Sequence, residues 1–416
     1  MSTIAIRNGL VVTQDAKRRV MTGNVIIRDN EIESVGREID KSDLVIDASN
    51  SIVMPGLVNT HTHVGMSILR GLAPNDSLDA FLKKTFEFDA KNTKEMMVTS
   101  ALLGTLEMLR TGTTSFLDLY YSEDVIAETV AGTGMRAFLS WVALDREFTT
   151  QNGVPVRNAE NFVKEHRGKG LITPSFGLQG VYVCSKDTIA EATELAEKYD
   201  TLVHMHLSET QKEVDDHAKK HGKRPVEWMQ ANGFISGRLV AAHCVWLNDQ
   251  EIAAFAKGGA TVSYNPVSNA RLGSGTADIH KMLDKSINVA IGTDSTASND
   301  SLDMFQTMKF GALINSIPAQ QVLDMATVNG AKALGCGIGS IEKGKKADVI
   351  LLDRRQTMTA PSIKANVVNN LVYSINGKNV TTSIIDGAVV LEHGIATSKK
   401  FLGVFEKAER LAASLG

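Results

Sequence analysis

The feature that most constrains the fold is the alternation of short apolar runs with helical patterns between residues 52 and 294. The runs are typical of buried parallel strands. The segment 186–199 between two of them places Ile189, Ala192 and Leu195 on one helical face. The eight runs are residues 52–54, 113–118, 136–144, 171–176, 201–207, 239–243, 260–264 and 288–294. Eight such units over about 280 residues predict a (β/α)8 barrel, with a doubly wound open sheet as the alternative.

The two ends of the chain have a different sequence pattern, in which short strand-like stretches alternate with turns. Residues 24–32 and 383–390 share one pattern, in which β-branched residues precede a turn and a strand then resumes. We therefore predict an α/β protein whose distorted barrel at 55–340 is flanked by a small β-sandwich. Residues 1–54 and 341–416 build this sandwich together, and the chain ends in a helix.

Composition narrows the class of protein. The net charge of −3 gives no broad attraction to nucleic acid or to an anionic membrane. Three well-separated cysteines argue against a disulfide framework and for a reducing compartment. We see neither a signal-peptide pattern nor an apolar run long enough to cross a membrane. We expect a cytoplasmic protein with a small-molecule substrate and without nucleic-acid or membrane partners. The oligomeric state stays open, with a homo-oligomer as one option.

The first of the apolar runs leads into Pro55-Gly56 and then to two histidines, His61 and His63. Residues two apart project from the same face of a strand, so both imidazoles can reach one point. Two converging imidazoles are half of a zinc site. Taken alone, the pair is equally consistent with two polar histidines in a loop.

Other polar residues at the ends of the runs favour the metal site. In a barrel, the active site lies at the C-terminal ends of the strands. The fifth run carries His204 and His206 on one face, and His206 is nearer the mouth, so His204 is expected in a deeper layer. His243 ends the sixth run and Asp294 the eighth. Glu209 follows the fifth run, where a carboxylate suits general acid–base work; the alternative is a helix N-terminal carboxylate favoured by the dipole.

These motifs resemble the amidohydrolase superfamily over essentially the whole chain. The resemblance also covers residues 268–275 and 292–300. It implies that the metal ligands are His61, His63, His206 and Asp294. It further implies that His243 contacts the attacking water or the substrate and that Glu209 moves a proton to the substrate.

The resemblance also bears on the metal and the reaction. Binuclear members carry a carboxylated lysine at the end of strand four, and this chain has none at 177–180. One Zn²⁺ per chain is therefore implied, although Fe²⁺ or Mn²⁺ suits the same ligands. The implied activity is hydrolytic deamination of an amino-substituted heterocycle, in which Asp294 takes a proton from a metal-activated water. The His-x-Glu and Pro-Cys-x-x-Cys motifs of the cytidine-deaminase type are missing.

Within the superfamily, the chain most closely resembles the 5-methylthioadenosine/S-adenosylhomocysteine deaminases. This implies an adenosine-like substrate such as 5-methylthioadenosine or 5-deoxyadenosine. Trp141 stands where some members have a carboxylate-binding arginine, which argues against S-adenosylhomocysteine. The expected substrate-binding residues are Asp89, Trp141, Gln179, Trp246, Tyr264 and Ser298.

Two other readings of the sequence stay open. Residues 267–275 also resemble triazine hydrolases and melamine deaminases, so the alternative substrate is a triazine, pterin or guanine-like ring, with ammonia or chloride as the leaving group. A non-enzymatic scaffold is disfavoured, because the complete ligand set and Glu209 are both retained.

Overall fold

The structure, a computed structural model, describes residues 2–36, 41–72 and 78–415. The N-terminal strands are β1 (Thr3–Val12), β2 (Val20–Arg28), β3 (Glu31–Val35), β4 (Leu44–Asp47) and β5 (Ser51–Pro55). The next eight are β6 (Leu57–Thr62), β7 (Thr113–Tyr120), β8 (Arg136–Ala143), β9 (Ile172–Leu178), β10 (Val203–Leu207), β11 (Leu239–His243), β12 (Thr261–Tyr264) and β13 (Asn288–Ile291). The last are β14 (Val349–Asp353), β15 (Val380–Ile385), β16 (Ala388–Glu392) and β17 (Ile395–Ala396).

The helices lie mainly between the strands. They are α1 (Leu78–Asp89), α2 (Lys94–Arg110), α3 (Glu123–Val130), α4 (Pro155–His166), α5 (Lys186–Lys198), α6 (Gln211–His221), α7 (Pro225–Ala231), α8 (Asp249–Gly258), α9 (Pro266–Arg271), α10 (Ile279–Asp284), α11 (Thr296–Asn299), α12 (Met304–Asn315), α13 (Ala319–Met325), α14 (Val328–Ala333), α15 (Val367–Tyr373) and α16 (Val404–Ala413). Short 3₁₀ helices span Val64–Leu69, Arg146–Phe148, Gly377–Asn379 and Lys399–Phe401. None of the described helices has the length and apolarity that a membrane crossing requires.

The eight central strands form the predicted barrel. They pair in parallel and in chain order from β6 to β13, which distinguishes the barrel from a doubly wound sheet. The first and last strands meet, since Asp294 N donates to His61 O at 2.9 Å and Thr60 Oγ1 donates to Ile291 O at 3.1 Å. This closure brings the histidines after β6 beside Asp294.

The prediction of the first barrel strand was wrong. Residues 52–54 belong to β5, which pairs with β1 and β14 in the other sheet. The barrel strand starts at Leu57, beyond Gly56. A side chain at Gly56 would lie 2.0 Å from Thr114 Oγ1, so glycine lets the chain pass from one sheet to the other. Residues 52–54 are apolar throughout, whereas β6 has the sequence Leu-Val-Asn-Thr-His-Thr, so a search for apolar runs selects residues 52–54.

The chain ends form a separate sheet, as predicted. Its nine strands run in the order β17-β16-β15-β14-β5-β1-β2-β3, and β4 pairs with β1. Ile6, Val53 and Leu351 share one buried core within it. Arg136, at the start of β8, forms ion pairs with Asp348 and Asp386. The sheet therefore sits against the N-terminal end of this barrel strand, away from the C-terminal ends that carry the site.

Candidate active site

Three imidazoles and one carboxylate converge at the C-terminal ends of β6, β10 and β13. Nε2 of His63 lies 3.4 Å from Nε2 of His206 and 3.3 Å from Oδ1 of Asp294. Nε2 of His61 lies 3.7 Å from the same Asp294 oxygen. The structure therefore brings together all four residues that the sequence named as metal ligands.

The far sides of the imidazoles are held by the barrel. Nδ1 of His63 is 2.5 Å from Leu119 O, and Nδ1 of His206 is 2.7 Å from Gln179 O. A carbonyl oxygen only accepts, so each Nδ1–H donates and each Nε2 lone pair faces the centre. Nδ1 of His61 lies 2.9 Å from Nε2 of His204, which occupies the deeper layer expected from its strand position.

The donor set fits a divalent metal. Nε2 of His61 is buried and has no hydrogen-bond partner within the described part of the chain. Its group with His63 and His206, and its group with His243 and Asp294, each have ligand atoms within 4.8 Å of one another. Burial holds the pKa of His61 well below its usual value, so the imidazole is neutral, as ligation requires. Imidazole nitrogens with one carboxylate oxygen are a common zinc ligand set.

Asp294 is fixed as an ionised carboxylate. Its Oδ2 accepts from Ser268 Oγ at 2.5 Å, and its Oδ1 accepts from Ser295 N at 2.6 Å. Burial acts to raise the pKa of Asp294, but His63, His243 and the Ser268 hydroxyl outweigh it and hold the pKa below its usual value. In this position the ionised carboxylate of Asp294 can act as a proton acceptor as well as a metal ligand.

Glu209 faces the same centre from the loop after β10. Its Oε1 accepts from Ser274 Oγ at 2.9 Å, and its Oε2 lies 3.7 Å from Nε2 of His243. Burial raises its pKa above the usual value, which favours the protonated carboxyl. The Glu213 carboxylate holds the turn by accepting from the backbone N–H groups of Ser208 and Glu209.

The strand ends are conformationally unusual. Ser208, His243 and Asp294 have φ values of 50°, 72° and 61°. Left-handed backbone is uncommon outside glycine, and it clusters where the surroundings enforce it, often at functional sites. Here it turns the backbone at the ends of three barrel strands, two of which bring His243 and Asp294 to the centre.

Comparison with known proteins agrees with this arrangement. The amidohydrolase family model matches residues 52–390. The chain belongs to the amidohydrolase family. A 5'-deoxyadenosine deaminase from Methanosarcina mazei is 38% identical, and the match covers 100% of this chain and 99% of the relative. A 5-methylthioadenosine/S-adenosylhomocysteine deaminase from Thermococcus sibiricus is 38% identical over 94% of each chain. The predicted family and hydrolase class are thereby confirmed.

Solved amidohydrolase structures agree with the fold. An adenosine deaminase from Xanthomonas campestris with bound zinc has a TM-score of 0.95 at 29% identity, covering 100% of this chain and 98% of its own. A zinc-bound atrazine chlorohydrolase from Arthrobacter aurescens has a TM-score of 0.87 at 22% identity over 99% of both chains. The latter shows the shared fold alone. The family, the zinc-bound adenosine deaminase and the donor set together support a divalent metal in this amidohydrolase.

The cavity above the metal-binding residues receives two of the six predicted substrate residues. Asp89 and Gln179 line it together with His63, Glu209 and His243. Asp89 accepts a short hydrogen bond from the Tyr120 hydroxyl. Burial raises the pKa of Asp89 to about 7. A carboxyl that is partly protonated at neutral pH can both donate to and accept from a sugar hydroxyl.

The other four predicted substrate-binding residues lie outside the cavity above the metal-binding residues. Trp141 packs on Phe162, outside the barrel wall. Tyr264 is 1% exposed and is held under α12 by a 2.6 Å hydrogen bond from Asn315. Trp246 donates to Ser274 O at 2.7 Å and is 37% exposed, and Ser298 bonds within its own turn to Ser295. The structure therefore does not bring these four to the reacting centre.

The sequence analysis did not predict several aromatic residues that line the cavity. Tyr120 ends β7, and Tyr121 follows it and stacks on it with ring centroids 4.6 Å apart. Tyr182 follows Gly180 after β9. Their positions just past barrel strands are the signal that could have identified them, since that end carries the site. Phe81 and Phe86 come from α1, and nothing in their helical spacing distinguishes them from core residues.

Proposed function

We propose that this amidohydrolase removes the amino group of an adenosine-like nucleoside such as 5-deoxyadenosine or 5-methylthioadenosine, and that it acts in the cytoplasm with one Zn²⁺ per chain. The observation that carries the proposal is the position of Glu209. Its carboxyl faces the cavity between Ser274 and His243, next to the converging ligands but not among them. The names of relatives that match over the full chain support the nucleoside as substrate.

The metal would be held by His61, His63, His206 and Asp294. A bound Zn²⁺ supplies Lewis acidity and lowers the pKa of a water molecule from 15.7 toward about 7. Asp294, an ionised carboxylate, accepts the proton that the attacking water loses. His243 presents Nε2 to the cavity while its Nδ1 is held by Asn269 Oδ1 at 2.7 Å, so it orients the water.

Glu209 completes the reaction on the substrate side. In its protonated form it donates to the ring nitrogen next to the carbon under attack, which makes that carbon more electrophilic. Asp294 then passes its proton to the amino group, which leaves as ammonia, and the hydroxyl of the tetrahedral adduct gives its proton to Glu209 as the carbonyl forms. The raised pKa of Glu209 keeps a proton available for the first transfer. Asp89 lines the same cavity, and we assign to it the binding of the ribose hydroxyls.

A substrate panel tests this proposal. The zinc-loaded enzyme is assayed for ammonia and chloride release with 5-deoxyadenosine, 5-methylthioadenosine, a pterin, guanine and a chloro-s-triazine. We expect ammonia from the two nucleosides and loss of this activity in Glu209→Gln. Glu165→Gln, on the exposed side of α4, is the matched control and keeps full activity. Inert nucleosides together with turnover of the triazine, pterin or guanine would overturn the assignment.

A further inference from the structure

The cavity over the metal-binding residues is too small for a whole nucleoside. Its volume is about 60 Å³, whereas ligand sites usually enclose about 300–1,000 Å³. A second chamber of about 570 Å³ adjoins it. The two share Asp89, Tyr121 and Gln179 as walls, so a substrate with its reacting ring at the metal extends into this chamber.

The chamber is polar and has unused hydrogen-bonding groups. We call it the polar chamber and define it by Asn92, Tyr121, Glu147, Gln151 and Asn152. Oδ1 of Asn92 and the Tyr121 hydroxyl are buried, and neither atom has a hydrogen-bond partner in the described residues. Buried polar groups without partners are rare, so these atoms indicate a ligand that supplies the missing hydrogen bonds.

The charge of the polar chamber has one sign. Its wall contains two acidic side chains, Glu147 and the partly protonated Asp89, and no lysine, arginine or histidine among the residues described there. Arg146 precedes Glu147, but its guanidinium donates to the backbone carbonyl of Gln151. Gln151 itself is fixed by Trp141 Nε1 at 2.9 Å and by the Val142 carbonyl at 3.1 Å, which gives Trp141 an indirect role in shaping the wall.

We propose that the polar chamber binds the substituent of the nucleoside that lies farthest from the metal, and that it selects uncharged or cationic hydrogen-bonding substituents over anionic ones. This inference rests on the proposed function. A smaller side pocket of about 250 Å³, which contains Lys212 and Lys220, also adjoins the metal cavity. The polar chamber is preferred because it is larger and because it includes Asp89, the residue assigned to the ribose.

Matched adenosine 5′-thioethers test the charge selection. The probes carry a methyl, a 2-aminoethyl or a carboxymethyl group on the sulfur, and kcat/KM for deamination is measured for each. We expect the carboxylate-bearing thioether to be at least about tenfold poorer than the ammonium-bearing one, because a like charge faces Glu147. The selectivity ratio is kcat/KM for the ammonium-bearing thioether divided by kcat/KM for the carboxylate-bearing one. We expect Glu147→Gln to lower this ratio, Glu147→Lys to bring it below one, and Asn152→Asp to raise it.

The side pocket supplies the control. Lys220→Gln leaves the ratio unchanged if the polar chamber holds the substituent. A ratio that ignores the charge at position 147, or one that changes in Lys220→Gln, overturns the inference while deamination of the methyl thioether still stands. If none of the three thioethers is deaminated by the zinc-loaded enzyme, the proposed function itself fails, and the inference fails with it.

Discussion

Oγ of Ser274 donates a hydrogen bond to Oε1 of Glu209 at 2.9 Å. The same short segment, which begins in α9, places Ser268 Oγ 2.5 Å from Asp294 and Asn269 Oδ1 2.7 Å from His243. One piece of chain after β12 thus positions three polar residues from three other strand ends. The order of the site depends on this segment as much as on the barrel strands.

Removing the Ser274 hydroxyl should slow catalysis without removing the metal. A hydrogen bond to a charged group contributes about 1.5–3 kcal/mol, so Ser274→Ala should lower kcat by about ten- to a hundredfold. KM and zinc content should change little, because the Ser274 hydroxyl bonds to the carboxyl of Glu209 and not to a metal-binding residue. Steady-state kinetics with metal analysis measure this, and Ser414→Ala at the exposed C-terminus is the control. An unchanged kcat would show that Glu209 needs no positioning.

Loss of one central imidazole should remove the metal. His206→Ala is expected to lose bound zinc and activity together, because it leaves too few donors at the centre. Elemental analysis of the purified chain gives the metal content directly. His280→Ala, whose ring is exposed and bonds only to the Asn315 carbonyl, should retain zinc at the wild-type level. Full zinc content in His206→Ala would contradict the ligand assignment.

The link between barrel and sheet should dominate local stability. Arg136 is 8% exposed and donates two hydrogen bonds to Asp348, at 2.9 and 3.0 Å. Breaking such a buried pair by removing one partner costs about 3–5 kcal/mol, so Arg136→Met should clearly lower the urea midpoint. Arg28→Met, which breaks the exposed Arg28–Glu33 pair, should lower the urea midpoint much less, because exposed ion pairs contribute little to stability. Equal decreases in the urea midpoint for the two variants would contradict this difference between the buried and the exposed ion pair.

One carboxylate away from the site should give a pH-dependent contribution to stability. Hydrogen bonds from Lys164, Tyr199 and Arg157 lower the pKa of Glu160 to about 2. A carboxyl with a depressed folded-state pKa stabilises the fold above its unfolded pKa, near 4.5, and loses that effect as the pH falls toward about 2. Glu160→Gln should therefore lower the urea midpoint at pH 7, and its difference from wild type should shrink between pH 4.5 and pH 3. A difference in urea midpoint that stays constant over this pH range would refute the lowered pKa of Glu160.

The sequence predicts the barrel well because its strands are short apolar runs that alternate with helical patterns in a repeating order. It also predicts that His61, His63, His206 and Asp294 meet, since all of them lie at or just past the C-terminal ends of strands that share one rim. It places the first strand wrongly, because residues 52–54 are apolar whereas residues 57–62 are mostly polar, and only long-range pairing with β1 and β14 assigns residues 52–54 to the other sheet.

The substrate pocket was predicted less well, and strand alternation explains why. In β12, Ser263 points inward to Thr60, so its neighbour Tyr264 points outward to α12. In β8, Ser140 faces His204 and Trp141 therefore faces α4. The prediction of Trp141 and Tyr264 matched their positions to family motifs, and such a match does not show which face of a strand a side chain occupies. Asp89 lies on a helix whose packing against β7 could not be read from spacing.

The central claim is that Glu209 transfers a proton during metal-dependent deamination. The most direct test is kcat of zinc-loaded Glu209→Gln with 5-deoxyadenosine, compared with wild type at equal metal content. General acid–base catalysis contributes about 10²- to 10⁴-fold, so the account predicts a loss in kcat of that size with one zinc still bound. Wild-type kcat in this variant, or full activity in metal-free wild-type enzyme, would contradict the account.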